Sequence, residues 1–68
     1  MSYQDMDAYE LKETLAEWHE QIVKYAGEFV QADEAGDFAW KVQSKGALVQ
    51  ALGQAKRVRA LLRLGVAA

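Results

Sequence analysis

Ala35-Gly36-Asp37 decides how this chain is read, because the residues before it are acidic and helically periodic while those after it are basic and helically periodic. Gly36 accepts the left-handed conformation that ends a helix without a Cβ clash, and Asp37 offers a carboxylate to the free N–H groups that open the next helix. One dipeptide supplies both a stop and a start. The sequence therefore predicts an all-α chain, an antiparallel two-helix hairpin folded at residues 36 and 37.

N-terminal to the turn, Leu11, Leu15, Trp18, Ile22, Tyr25, Phe29 and Ala32 recur with alternating steps of four and three, the spacing of a seam between two helices. Asp7 and Glu10 have the spacing of a capping box, and Met6 and Leu11 that of a hydrophobic staple, so helix 1 is expected over about 7–35. Met1 to Met6 carries no periodic signal and reads as a frayed end.

C-terminal to the turn, helix 2 is expected over about 38–64, with Gly65 as its stop. A fold at Gly36 and Asp37 brings together positions whose numbers sum to 73. Leu11 then meets Leu62, Leu15 meets Val58, Trp18 meets Ala55, Ile22 meets Ala51, Tyr25 meets Leu48 and Phe29 meets Ser44. Large faces small through the middle layers, as close packing of two helices requires. Only Ala32 against Lys41 breaks the pattern, and there Trp40 is expected to swing in beside the turn. A rival turn at Ser44-Lys45-Gly46 leaves helices of very unequal length and strands half of the first seam.

Sixty-eight residues make one domain, 1–68, near the size at which a single core supplies only a few kcal/mol. There is no cysteine and a single histidine, so neither a disulfide nor a thiolate metal site is expected, and no cofactor. Oligomerisation is the remaining route to stability. No apolar run is long enough to span a membrane, and Met1-Ser2-Tyr3-Gln4-Asp5 lacks the regions of a signal peptide, which points to a cytoplasmic protein. The formal net charge of −2 conceals an asymmetry: residues 1–37 hold all ten acids against Lys12 and Lys24, and residues 38–68 hold six bases and no acid. Halves of −8 and +6 favour folding back on each other or pairing with a second copy.

Both helices carry a second apolar row. Ala16, Val23, Ala26 and Val30 lie beside the seam of helix 1, while Phe38, Val42, Gly46, Val49, Gly53, Ala60 and Leu64 lie away from the seam of helix 2. Gly46, Gly53 and Ala60 repeat every seven residues along one edge, where another backbone can approach closely. Val23, Val30, Val42, Gly46, Val49, Gly53 and Ala60 are therefore the expected oligomer interface, with a homodimer forming a four-helix bundle as the expected assembly.

The sequence offers little chemistry. His19 has neither a second histidine nor a cysteine with which to build a metal set or a triad, and it reads as a polar border residue. The glutamates of helix 1 share one stripe, but on the side away from the seam, whereas di-metal bundles aim their carboxylates inward. No enzyme activity is expected. Lys56, Arg57, Arg59 and Arg63 form a basic cluster able to track phosphates or an acidic partner.

The length, the tight acidic turn Gln31-Ala32-Asp33-Glu34-Ala35-Gly36-Asp37 and the large-against-small seam resemble the Rop family, small helical hairpins that dimerise into four-helix bundles and bind RNA hairpin pairs. The resemblance is architectural and carries over no functional residue. The run from Gln43-Ser44-Lys45-Gly46-Ala47 to Arg63 is also similar in composition to the second helix of small bacteriophage accessory proteins, which often act by binding a host protein. The expected function is a non-enzymatic interaction module that self-associates and binds a protein partner, as a phage-type inhibitor or adaptor does. The alternative is a nucleic-acid-binding regulator that uses the basic second helix.

Overall fold

A computed structural model describes residues 3–67. A short 3-10 turn over Tyr3–Asp5 precedes two helices, α1 over Ala8–Ala35 and α2 over Phe38–Ala67, which pack antiparallel into a hairpin measuring 48 × 19 × 15 Å.

The start of α1 follows from its capping box. The Asp7 carboxylate accepts from the Glu10 backbone N–H at 2.8 Å, and the Glu10 carboxylate accepts from the Asp7 N–H at 3.4 Å. The turn works as its residue types dictate. Gly36 adopts φ 70° and ψ 19°, its N–H donates to the Asp33 carbonyl at 3.1 Å, and the Asp37 N–H donates to the Ala32 carbonyl at 3.0 Å. These two bonds are a Schellman closure, and they satisfy carbonyls that the end of α1 would otherwise leave free. Asp37 then opens α2 by accepting from the Trp40 N–H at 3.0 Å.

Two features depart from the sequence expectations. Gly65 does not stop α2, which continues to Ala67; Gly36 is the only glycine at positive φ among the described residues, so Gly65 stays in helical geometry. A glycine closes a helix when the chain must turn away there, and Val66 and Ala67 give it no reason to do so. The N-terminal segment is not frayed from Tyr3 onward. The Tyr3 hydroxyl accepts from Trp18 Nε1 at 3.0 Å and donates to Gln54 Oε1 at 2.8 Å, which ties the 3-10 turn to both helices. Met6 adds a weak contact, accepting at Sδ from the Thr14 hydroxyl at 3.6 Å. Met1 and Ser2 lie outside the described residues.

The buried set is Leu11, Ala32, Ser44, Ala51, Ala55 and Val58, and every one is a seam residue in the register that sums to 73. Leu15, Trp18, Ile22, Tyr25 and Phe29 are half-buried. The small residues of α2 thus lie beneath the large ones of α1, whose outer edges reach water. No buried side-chain nitrogen or oxygen among the described residues lacks a hydrogen-bond partner. At the turn, Trp40 is half-buried and donates from Nε1 to Glu28 Oε1 at 3.3 Å, while Lys41 lies over the Phe29 ring and pairs with Asp33 at 2.7 Å. The enclosed core is thin, because among the described residues three of its five apolar members are alanines.

Candidate interaction surface

The hairpin has two broad sides, each shared by both helices, and they differ in chemistry. On one side, Thr14, Gln21 and Glu28 of α1 lie toward Trp40, Ala47 and Gln54 of α2, as the Glu28–Trp40 bond and the Tyr3 bridge between Trp18 and Gln54 establish. The N-terminal turn docks on this polar side, and Arg57 sits over the Tyr3 ring at 6.0 Å.

The other side gathers most of the large exposed hydrophobics, together with exposed Lys12, His19, Asp33, Lys45, Lys56, Arg59 and Arg63. In α1, Tyr9, Ala16, Val23 and Val30 recur every seven residues and all are exposed, with Val23 at 73%. In α2, Val42 and Val49 hold the same place relative to the seam, and Phe38 and Leu52 stand beside them, with Phe38 at 77%. Antiparallel helices present such positions on one common side. The described residues include eight exposed large hydrophobics, and seven of them lie here, Leu64 being the exception. Scattered apolar residues are ordinary on a surface, but concentration on one side is the mark of an interface.

Val23, Val30, Val42 and Val49 therefore share this side, with Ala60, Gly46 and Gly53 along its α2 border; all seven residues expected at an oligomer interface are exposed in the hairpin. A Cβ added at Gly46 or Gly53 would meet nothing within 4 Å, so neither glycine serves packing inside the hairpin. Tyr9 and Leu52 belong to the same surface. Their signal was their spacing, Tyr9 seven residues before Ala16 and Leu52 directly after the seam residue Ala51.

The basic cluster divides. Lys56, Arg59 and Arg63 line one shallow groove with Ala60, whereas Arg57 lines a different one with Tyr3 and Gln4. Consecutive helical residues point about 100° apart, so neighbours in sequence part company here. Among the described residues, the Lys41–Asp33 pair is the one ion pair, and it joins α1 to α2 beside the turn. An exposed pair of this kind contributes little to stability.

The remaining features are modest. A groove of about 330 Å³ lies between the N-terminal turn and the far ends of the helices, lined by Tyr3, Met6, Leu11, Leu61 and Leu62 among others. A second of similar size is lined by Trp18, Gln21, Tyr25 and Ala51. His19 is exposed, and the described residues hold no group of three or more His, Cys, Asp or Glu able to bind a metal ion. No described helix is long and apolar enough to cross a membrane.

The fold defines a helical hairpin with one polar broad side and one on which large exposed hydrophobics are concentrated among basic residues. Comparison with protein-family models, curated proteins and solved structures finds no match.

Proposed function

We propose that this chain is a non-enzymatic interaction module that self-associates through its apolar broad side and presents the rest of its surface to a protein partner. The observation that carries this reading is the concentration, among the described residues, of seven of the eight large exposed hydrophobics on one side of the hairpin. The large seam residues of α1 from Leu15 to Phe29 are only half-buried, and chains of this length usually gain stability from a staple or from association. The chain has no disulfide to offer. A second copy is always present at matching concentration, and a closed two-fold pair is the commonest way to cover such a face.

Light scattering after size exclusion tests the proposal. Val49→Glu places a charge in the middle of the apolar side and should reduce the mass to one chain, whereas Glu17→Lys on the exposed outer stripe of α1 should leave it unchanged. Both residues are exposed in the hairpin, so neither change disturbs its seam. Equal masses for wild type and Val49→Glu overturn the reading.

A second reading rests on Lys56, Arg59 and Arg63 lining one groove: binding of nucleic acid phosphates by the end of α2 distant from the turn. Binding of a labelled RNA hairpin that weakens steeply between two salt concentrations would favour it.

A further inference from the structure

One side of the hairpin collects both the exposed hydrophobics and the cations of the chain. Val23, Val30, Phe38, Val42, Val49 and Leu52 are exposed there among Lys12, Lys45, Lys56, Arg59 and Arg63. Of the seven acids in α1 only Asp33 lies on this side, and Lys41 holds its carboxylate at 2.7 Å; α2 contains no acid. Five cations thus stand against one paired acid, in a chain whose formal net charge is −2.

The occupant of such a surface must offer carbon to the hydrophobics and negative charge to the cations at the same time. A second copy covers the hydrophobics but meets cations with cations. A nucleic acid meets the cations, but its phosphate backbone gives the valines and Phe38 nothing to bury against. A single acidic helix is ~10–12 Å across, about half the width of two helices packed ~8–10 Å apart, so it leaves one of the two rows in water. The interface of an anionic bilayer supplies acyl carbon and phosphate together over the whole face. Lysine and arginine suit that depth, because their aliphatic stems lie along the apolar layer while their charged heads reach the phosphates.

We infer that this side, tilted onto α2, docks the hairpin on an anionic lipid surface without crossing it. The tilt follows from the two outer edges. That of α2 is Ala39, Gly46, Gly53 and Ala60, all exposed, and a Cβ added at either glycine meets nothing within 4 Å, so this edge approaches the bilayer closely. The outer edge of α1 carries exposed Glu13, Glu20 and Glu34, which an anionic surface repels. Resting on α2 lifts them toward water, where charges more than about 8 Å from the surface are largely screened at physiological salt. Docking does not depend on self-association: a lone hairpin offers the face, and where two copies cover it in solution the bilayer takes the place of one.

The full chain is mixed with vesicles of phosphatidylcholine alone, or of phosphatidylcholine and phosphatidylglycerol in equal parts, and bound protein is read by sedimentation. The chain contains no cysteine, so Val49→Cys on this side and, separately, Gln50→Cys on the polar side each carry one environment-sensitive fluorophore at an exposed position. The expected result is binding to the mixed vesicles alone, with a blue shift at position 49 and none at position 50. Each lysine or arginine near an anionic surface strengthens binding about fivefold, so Arg59→Gln should weaken it by about that factor, while Arg57→Gln, beside Tyr3 on the polar side, should leave it nearly unchanged. No binding to the mixed vesicles, equal binding to both kinds, a shift at 50 in place of 49, or equal losses from Arg57→Gln and Arg59→Gln overturns the inference. Capture of a labelled RNA hairpin without vesicle binding overturns it in favour of the phosphate-binding reading. The mass in solution without vesicles decides self-association separately.

Discussion

Ala55→Leu tests the seam where it is tightest. Ala55 is fully buried, and its neighbours along the seam, Ala51 and Val58, are 1% and 0% exposed. At 0% exposure Ala55 is enclosed on every side, so the larger leucine side chain must displace its neighbours. The three added carbons must push α1 and α2 apart or force side chains off their rotamers, which costs about 1–3 kcal/mol. In a domain of this size each kcal/mol lowers the melting temperature by about 4–8 °C, so the variant should melt roughly 4–24 °C below wild type. The assay is a circular dichroism melt at fixed chain concentration, because association shifts apparent stability. Ala39→Leu, on the same helix but exposed, is the control and should stay within about 0.5 kcal/mol. An unchanged or raised melting temperature for Ala55→Leu would mean that Ala55 does not lie beneath the large residues of α1, and the register would fail with it.

Three further changes probe the local devices. Tyr3→Phe removes the hydroxyl that joins Trp18 to Gln54 and should cost about 0.5–1.5 kcal/mol in a chemical denaturation curve, with Trp fluorescence reporting the altered indole; an unaltered midpoint would mean that the N-terminal turn does not dock. Gly36→Ala places a Cβ at φ 70°, a conformation that disfavours L-residues by roughly 1–2 kcal/mol, and should lower the melting temperature although the position is open to solvent. Asp7→Ala removes the acceptor that caps α1 and should cost about 1 kcal/mol, read as increased hydrogen exchange over the first turn.

The hairpin was legible because its signals are local or periodic. Gly36 and Asp37 specify their own geometry, the capping box lies within four residues, and a seam repeating over three heptads requires a partner of matching length. What escaped the sequence depends on contacts between distant residues. Tyr3 lies outside any periodic segment, so nothing local predicts that its hydroxyl reaches Trp18 and Gln54. Gly65 looks like a stop because glycine often closes helices, yet a stop also requires the following chain to leave the axis, and α2 continues. Lys56 and Arg57 read as one cluster because they are adjacent, but the helical rotation sends them to different grooves. The apolar rows could be read helix by helix; that they lie on one common side follows only once the antiparallel register is in place.

Sedimentation equilibrium of the unmodified chain, with helicity followed by circular dichroism on dilution to micromolar concentration, tests the central claim of self-association most directly. Self-association should give a mass twice the 7.6 kDa of one chain, with helicity falling as the dimer dissociates. A mass of one chain throughout, with full helicity kept on dilution, would contradict it.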